Sequence, residues 1–143
     1  MHMSCAKPIL LVEDDPVDAL AILRTLEDPN ASDTVVHAAS AEEALTYLRS
    51  PTRGRPTLIL LDLQMPGTNG LAFLRSIKGD PCLSDIPIVA LTNSRDTRDI
   101  SRSFDLGAAG YMVKANDYTG LAETIKTIQD YWSLNRLPAS LAR

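Results

Sequence analysis

Four apolar runs in this chain each end on a side chain that can do chemistry. Ile9-Leu10-Leu11-Val12 leads into Glu13-Asp14-Asp15, Leu58-Ile59-Leu60-Leu61 into Asp62, Ile88-Val89-Ala90-Leu91 into Thr92, and Tyr111-Met112-Val113 into Lys114. Asp62 is the most informative, because Leu63-Gln64-Met65-Pro66-Gly67 follows it at once. A run of β-formers closed by a Pro-Gly turn reads as a strand buried on both faces of a parallel sheet. A carboxylate in that position must be desolvated, paired or holding a cation. Ligands of open α/β sheets bind outside the carboxyl ends of the strands. If the first and third strands are neighbours, Asp14 and Asp62 therefore face each other across one crevice. A hard cation such as Mg2+ would neutralise them, taking one or two carboxylates, a carbonyl and waters. Acids, a hydroxyl and an ammonium on one edge are what phosphoryl transfer to a carboxylate requires. The acid attacks phosphorus, and cationic and hydrogen-bonding groups absorb charge on the equatorial oxygens.

The elements that would position these groups alternate along the chain. Five β-like segments, Ile9–Val12, Thr34–Ala38, Leu58–Leu61, Ile88–Leu91 and Tyr111–Val113, are interleaved with five helical ones, the signature of a doubly wound parallel sheet. Apolar residues at helical spacing mark the helices: Ala19, Ile22, Leu23, Leu26; Ala41, Ala44, Leu45, Leu48; Gly70, Phe73, Leu74, Ile77; and Tyr118, Leu121, Ala122, Ile125, Ile128, Trp132. The fourth helix has only Ile100, Phe104 and Leu106 and is expected to be the most mobile. Asp15-Pro16 reads as an N-cap with Pro at the first helical position, and Ser40-Ala41-Glu42-Glu43 as a capping box. Residues 50–56 and 78–87 read as loop and turn. The expected organisation is one domain over residues 1–132 and a tail over 133–143.

Composition narrows the function. The 143 residues are 45% hydrophobic and 22% charged, enough for one globular core. The apolar runs fall far short of the roughly 20 residues of a membrane span, and no signal-peptide pattern opens the chain. A cytoplasmic protein without membrane contact is expected. A net charge of -4 with no basic run argues against a nucleic-acid surface. Cys5 and Cys82 have no neighbours at metal-ligand spacing and read as two reduced thiols. Taken singly, Glu13-Asp14 could be a helix cap and solvated edge, Thr92 a backbone-satisfied hydroxyl, Lys114 a surface amine and Tyr111 a half-buried strand aromatic. Their joint placement on strand ends is what those readings leave unexplained.

From about Ile9 to Trp132 the chain resembles the receiver domain of two-component response regulators. The matching residues are Glu13-Asp14, Leu61-Asp62-Leu63-Gln64-Met65-Pro66-Gly67-Thr68-Asn69-Gly70, Thr92, and Gly107-Ala108-Ala109-Gly110-Tyr111 leading to Lys114. The resemblance implies a flavodoxin-like α/β fold with a five-stranded parallel sheet and five helices. It implies that Asp62 accepts a phosphoryl group from a sensor histidine kinase. It further implies that Asp14, Asp62 and the backbone carbonyl of Gln64 ligate Mg2+, with Glu13 helping through water. Thr92 and Lys114 would bind the phosphoryl oxygens, and Tyr111 stands where the family places its aromatic switch residue. The chain departs from the family at Ala115, where Pro is usual after a cis bond. A non-proline cis bond costs roughly 2.5–4 kcal/mol, so a trans Lys114-Ala115 bond is expected. Asn93 is bulkier than the small residue often found beside the Thr. Tyr131-Trp132-Ser133-Leu134-Asn135-Arg136-Leu137-Pro138 and the long loop before the third strand resemble single-domain regulators that partner bacterial phytochromes.

The expected function is thus a stand-alone receiver, no enzyme beyond its own phosphorylation and dephosphorylation, that passes its signal to a downstream protein. The alternative is a receiver-fold interaction module that is never phosphorylated. An aspartyl-phosphate phosphatase resembles D-x-D after the first strand, a spacing that Glu13-Asp14-Asp15 lacks. A flavin carrier would need Gly, Ser or Thr in that loop. Homodimerisation is expected through the fourth helix, fifth strand, fifth helix and tail, with Tyr118, Leu121, Tyr131, Trp132 and Leu134 as its apolar residues.

Overall fold

A computed structural model describes residues 8–26, 35–50, 55–65, 68–93, 95–114 and 117–134. The strands are β1 (Ile9–Val12), β2 (Val35–Ala38), β3 (Leu58–Leu61), β4 (Gln64–Met65), β5 (Thr68–Asn69), β6 (Ile88–Thr92) and β7 (Gly110–Val113). The helices are α1 (Pro16–Leu26), α2 (Ala41–Leu48), α3 (Gly70–Gly79), α4 (Thr97–Asp105) and α5 (Tyr118–Leu134). Five strands form one parallel sheet in the order β2-β1-β3-β6-β7. The order doubles back at β1 and β3, so the crevice that flavodoxin-like folds use lies between their carboxyl ends.

Strand alternation divides the core. Ile9, Leu11, Leu58 and Leu60 point toward α1 and α5, where Ala19, Ile22, Leu26, Leu121, Ile125 and Ile128 receive them. Leu10, Val12, Ile59 and Leu61 point the other way, against Ala41, Ala44 and Tyr47 of α2 and Phe73, Leu74 and Ile77 of α3. This two-faced burial is why β1 and β3 read as unbroken apolar runs.

The caps form as their residues require. Asp15 Oδ1 accepts the Val17 N–H at 2.9 Å. Ser40 Oγ accepts the Glu43 N–H at 3.1 Å, while the Glu43 carboxylate reaches back to the Ala39 N–H at 3.4 Å, one residue beyond the usual capping-box partner.

Several expectations are revised. Phe104 is not the packing residue of the fourth helix. Ser103 is, fully buried with its hydroxyl donating to the Asp99 carbonyl at 2.7 Å. Phe104, one residue and about 100° further round, is left 48% exposed. Leu121 is buried in the stripe Leu121, Ile125, Ile128, so it cannot serve an exposed dimer surface; the stripe starts there and not at Tyr118, which is exposed. Thr92 belongs to β6, and Gly110 to β7. A short antiparallel pair, β4 with β5, brackets the Pro66-Gly67 turn expected from sequence. That turn itself, Thr34, most of the loop before β3, the Lys114-Ala115 bond and the tail beyond Leu134 lie outside the described residues.

Gly70 opens α3 against the segment that follows Asp62. A Cβ there would lie 2.5 Å from Leu63 Cα and 2.8 Å from the Leu63 carbonyl oxygen. Replacing a helical Gly by Ala ordinarily stabilises by up to about 1 kcal/mol. Here the clash is with backbone, and Gly70→Ala is expected to destabilise by about 2 kcal/mol. A lower urea midpoint at unchanged slope checks this, and an equal or higher midpoint contradicts it.

Candidate functional site

The sheet ladder continues one residue past the strand ends and thereby sets the backbone of the site. Glu13 N–H donates to the Ala38 carbonyl at 3.0 Å, Asp62 N–H to the Val12 carbonyl at 3.0 Å, and Lys114 N–H to the Thr92 carbonyl at 2.8 Å. Three chemically capable residues are thus held by main-chain bonds. The His37 ring Nε2 lies 2.8 Å from the Glu13 carbonyl and adds a further tie from β2. After Asp62 the chain turns at once, because Asp62 Oδ1 accepts the Gln64 N–H at 2.9 Å, the turn that an Asp makes with backbone two residues on.

The side chains converge. Carboxylate oxygens of Glu13, Asp14 and Asp62 all lie within 4.8 Å of one another, with Glu13 and Asp62 buried and Asp14 half-buried. Lys114, itself buried, places Nζ 2.5 Å from Glu13 Oε1, 2.8 Å from Asp18 Oδ2 and 3.3 Å from Asp62 Oδ2. The expected acids and the lysine are therefore brought into one cluster. Thr92 is fully buried at the end of β6 and joins the cluster through its carbonyl bond to Lys114. Tyr111 is half-buried in β7, level with Ala90 and three residues before Lys114. Gln64 contributes its N–H to Asp62, and its side chain is exposed.

Asp18 is the member of the cluster that sequence reasoning misses. In sequence it is one acidic residue in the first turn of α1, a common complement to a helix N-terminus. No local pattern could pair it with Lys114, which lies 96 residues away.

The electrostatics follow from burying like charges together. Burial, then hydrogen bonding to and the charge of Asp62, push the Glu13 carboxyl up to about 8, against the opposing pull of Lys114. Burial alone would lower Lys114. Hydrogen bonds to Asp18 and Glu13 and the charges of Glu13 and Asp62 outweigh it, holding the ammonium well above its ordinary range. Lys114 is thus a fixed cation, and Glu13 retains its proton near neutrality. Three clustered carboxylates with hard oxygen donors are a donor set that fits a divalent cation of the Mg2+ class. A cation would displace the retained proton.

Residues 9–126 match the family model described as the response regulator receiver domain. The chain is 34% identical over 134 residues to the probable methanogenesis regulatory protein FilR2 of Methanothrix harundinacea, spanning 91% of this chain and 86% of that protein. It is 31% identical over 130 residues to the response regulator Rcp1 of Synechocystis sp., spanning 88% of each. The Mn2+-bound form of Rcp1 superposes with a TM-score of 0.86, covering 93% of this chain and 99% of that one. The phosphorylated cyanobacterial phytochrome response regulator RcpA superposes with a TM-score of 0.88 at 36% identity, covering 94% of this chain and 100% of that one.

The raised Glu13 carboxyl has a direct consequence for stability. Between its ordinary value of 4.5 and about 8, the folded protein holds a proton that the unfolded chain does not. Stability from this group is complete below 4.5 and is lost as pH rises through about 8. In chelator, the thermal midpoint is expected to fall across that window, and Glu13→Gln to flatten the slope. The same slope in the variant would assign the proton elsewhere.

Proposed function

The chain belongs to the response regulator receiver family, and on that premise we propose that Asp62 accepts a phosphoryl group from the phosphohistidine of a sensor histidine kinase in a Mg2+-dependent reaction. The observation that carries this reading is the Asp62 carboxylate, buried at the end of β3 and held between the Gln64 N–H on Oδ1 and the Lys114 ammonium facing Oδ2. A receiver with that group buried, anchored and flanked by acids and a fixed cation is built to be modified there. This argues against the unphosphorylated interaction module.

An Asp62 carboxylate oxygen attacks phosphorus as the bond from phosphorus to the imidazole nitrogen breaks, and the electron pair stays on that nitrogen. The transferred group spreads its charge over equatorial oxygens. Lys114 faces those oxygens as the fixed ammonium, and the Thr92 hydroxyl donates a hydrogen bond to one of them. Glu13, Asp14, Asp62 and the Gln64 backbone carbonyl would hold Mg2+, which when bound offsets both the crowded carboxylates and the incoming phosphoryl charge. Tyr111 is the switch residue in this reading, carried on the strand that leads into Lys114. Chemistry is confined to the protein's own phosphorylation and dephosphorylation.

The phytochrome link rests on likeness to RcpA, whose solved form is that of a phosphorylated cyanobacterial phytochrome response regulator. We accordingly place a phytochrome-type kinase upstream and a downstream protein, reached by surface contacts, after it. That work belongs in the cytoplasm, with residues 1–132 as the receiver and 133–143 as a tail. The homodimer is retained without Leu121, on the exposed Tyr118 and Tyr131 of α5, to which the exposed Phe104 of α4 is added, and on Trp132 and Leu134, whose side chains lie outside the described residues.

Incubation with Mg2+ and acetyl phosphate is expected to give an acid-stable, base-labile mass gain on Asp62, absent from Asp62→Asn; equal modification of the variant would overturn the assignment. Mg2+ is expected to raise the thermal midpoint of the parent by mass action on the folded state and to leave that of Asp14→Ala nearly unchanged. A full response in the variant would remove Asp14 from the site. Sedimentation of the full chain and of a chain ending at Gln129 tests the dimer: monomers in both, even when phosphorylated, would refute it.

A further inference from the structure

Lys114 has three ammonium donors, and three carboxylates from three separate elements take them: Glu13 after β1, Asp18 in the first turn of α1, and Asp62 after β3. Two of these partners, Glu13 and Asp62, also belong to the acid cluster that fits a divalent cation; Asp18 does not. A bound cation would draw on the Glu13 and Asp62 oxygens and repel the ammonium. Asp18, 2.8 Å from the ammonium and outside the clustered acids, would be the carboxylate that remains for Lys114. Its side chain is 29% exposed, so it gives a partly solvated counter-charge at the mouth of the crevice and leaves the buried acids to the metal.

We propose that Asp18 is a positioning residue: it holds the Lys114 ammonium at the carboxyl edge of the sheet while a divalent cation occupies Glu13, Asp14 and Asp62. Only its consequence for phosphorylation rests on the receiver reading. Without Asp18, Lys114 either turns back to compete with the cation for Glu13 and Asp62 or swings into solvent, and in both cases it is lost to the phosphoryl oxygens. The ordinary alternative is that Asp18 only complements the α1 N-terminus, a role that would not depend on Lys114.

The test uses the full chain with saturating Mg2+ and the variants Asp18→Asn, Asp18→Glu, Lys114→Met and Asp18→Asn with Lys114→Met, each checked for folding by thermal melt. The first readout is the nitrogen-15 ammonium resonance of Lys114, assigned by its absence from Lys114→Met. It is expected in the parent and in Asp18→Glu, which keeps the charge, and in Asp18→Asn to shift if the ammonium turns back to the buried acids or to vanish through water exchange if it swings into solvent. Should the amide variant not fold, Asp18→Ser takes its place. The second readout is the rate of Asp62 phosphorylation by acetyl phosphate. Asp18→Asn is expected to lower it about tenfold and to have no further effect in the Lys114→Met background. An unchanged ammonium resonance in Asp18→Asn, or an equal fall in both backgrounds, would overturn the proposal. If the parent takes up no phosphoryl group, the receiver reading fails, and the ammonium resonance still decides the role of Asp18.

Discussion

The site is governed by the cost of assembling like charges at the edge of a buried sheet. Glu13, Asp14, Asp18 and Asp62 converge from β1, α1 and β3, and the Lys114 ammonium answers three of them. Removing one partner of a buried ion pair typically costs about 3–5 kcal/mol, because the other charge is left uncompensated. Lys114 therefore has its place in the fold before it has any place in chemistry. Burial first, and then the neighbouring Asp62, account for the elevated Glu13 carboxyl, and the acids that Lys114 leaves unbalanced are an attraction for any further cation.

The scaffold answers that electrostatic demand with rigidity. Main-chain bonds extend the ladder through Glu13, Asp62 and Lys114, so the backbone that carries these groups cannot move apart without breaking sheet hydrogen bonds. Gly70 lets α3 approach the Leu63 backbone closely, which pins the far side of the Asp62 turn. Asp15 serves a separate purpose, for although it stands next to Asp14 in sequence, its side chain caps α1. One acidic triplet is thereby divided between helix initiation and the site.

Cover is uneven across the sheet. β1 and β3 are buried on both faces, whereas every residue of β7 is half-buried. α4 packs on β7 and α3 with a single fully buried residue, Ser103. The strand that carries Tyr111 and leads into Lys114 thus has no fully buried residue. A change in the partners of Lys114 would be felt along it.

Periodicity and strand ends lie within a few neighbouring residues, and for that reason the sequence alone determined the alternating architecture, the helix caps at Asp15 and Ser40, the α3 stripe from Gly70 to Ile77 and the residues that terminate the strands. It also determined which groups could meet, since parallel strands with crossover helices deliver their carboxyl ends to one edge. Tertiary structure decided the rest. Leu121 faces the core and Phe104 the solvent because helix rotation is set by what packs beneath, and for α4 that is a serine. Asp18 becomes a partner of Lys114 only when α1 and the end of β7 are brought side by side, a contact between residues 96 apart in the chain. Charge pairing at that separation leaves no periodic trace, because it depends on distance in space and not on spacing along the chain.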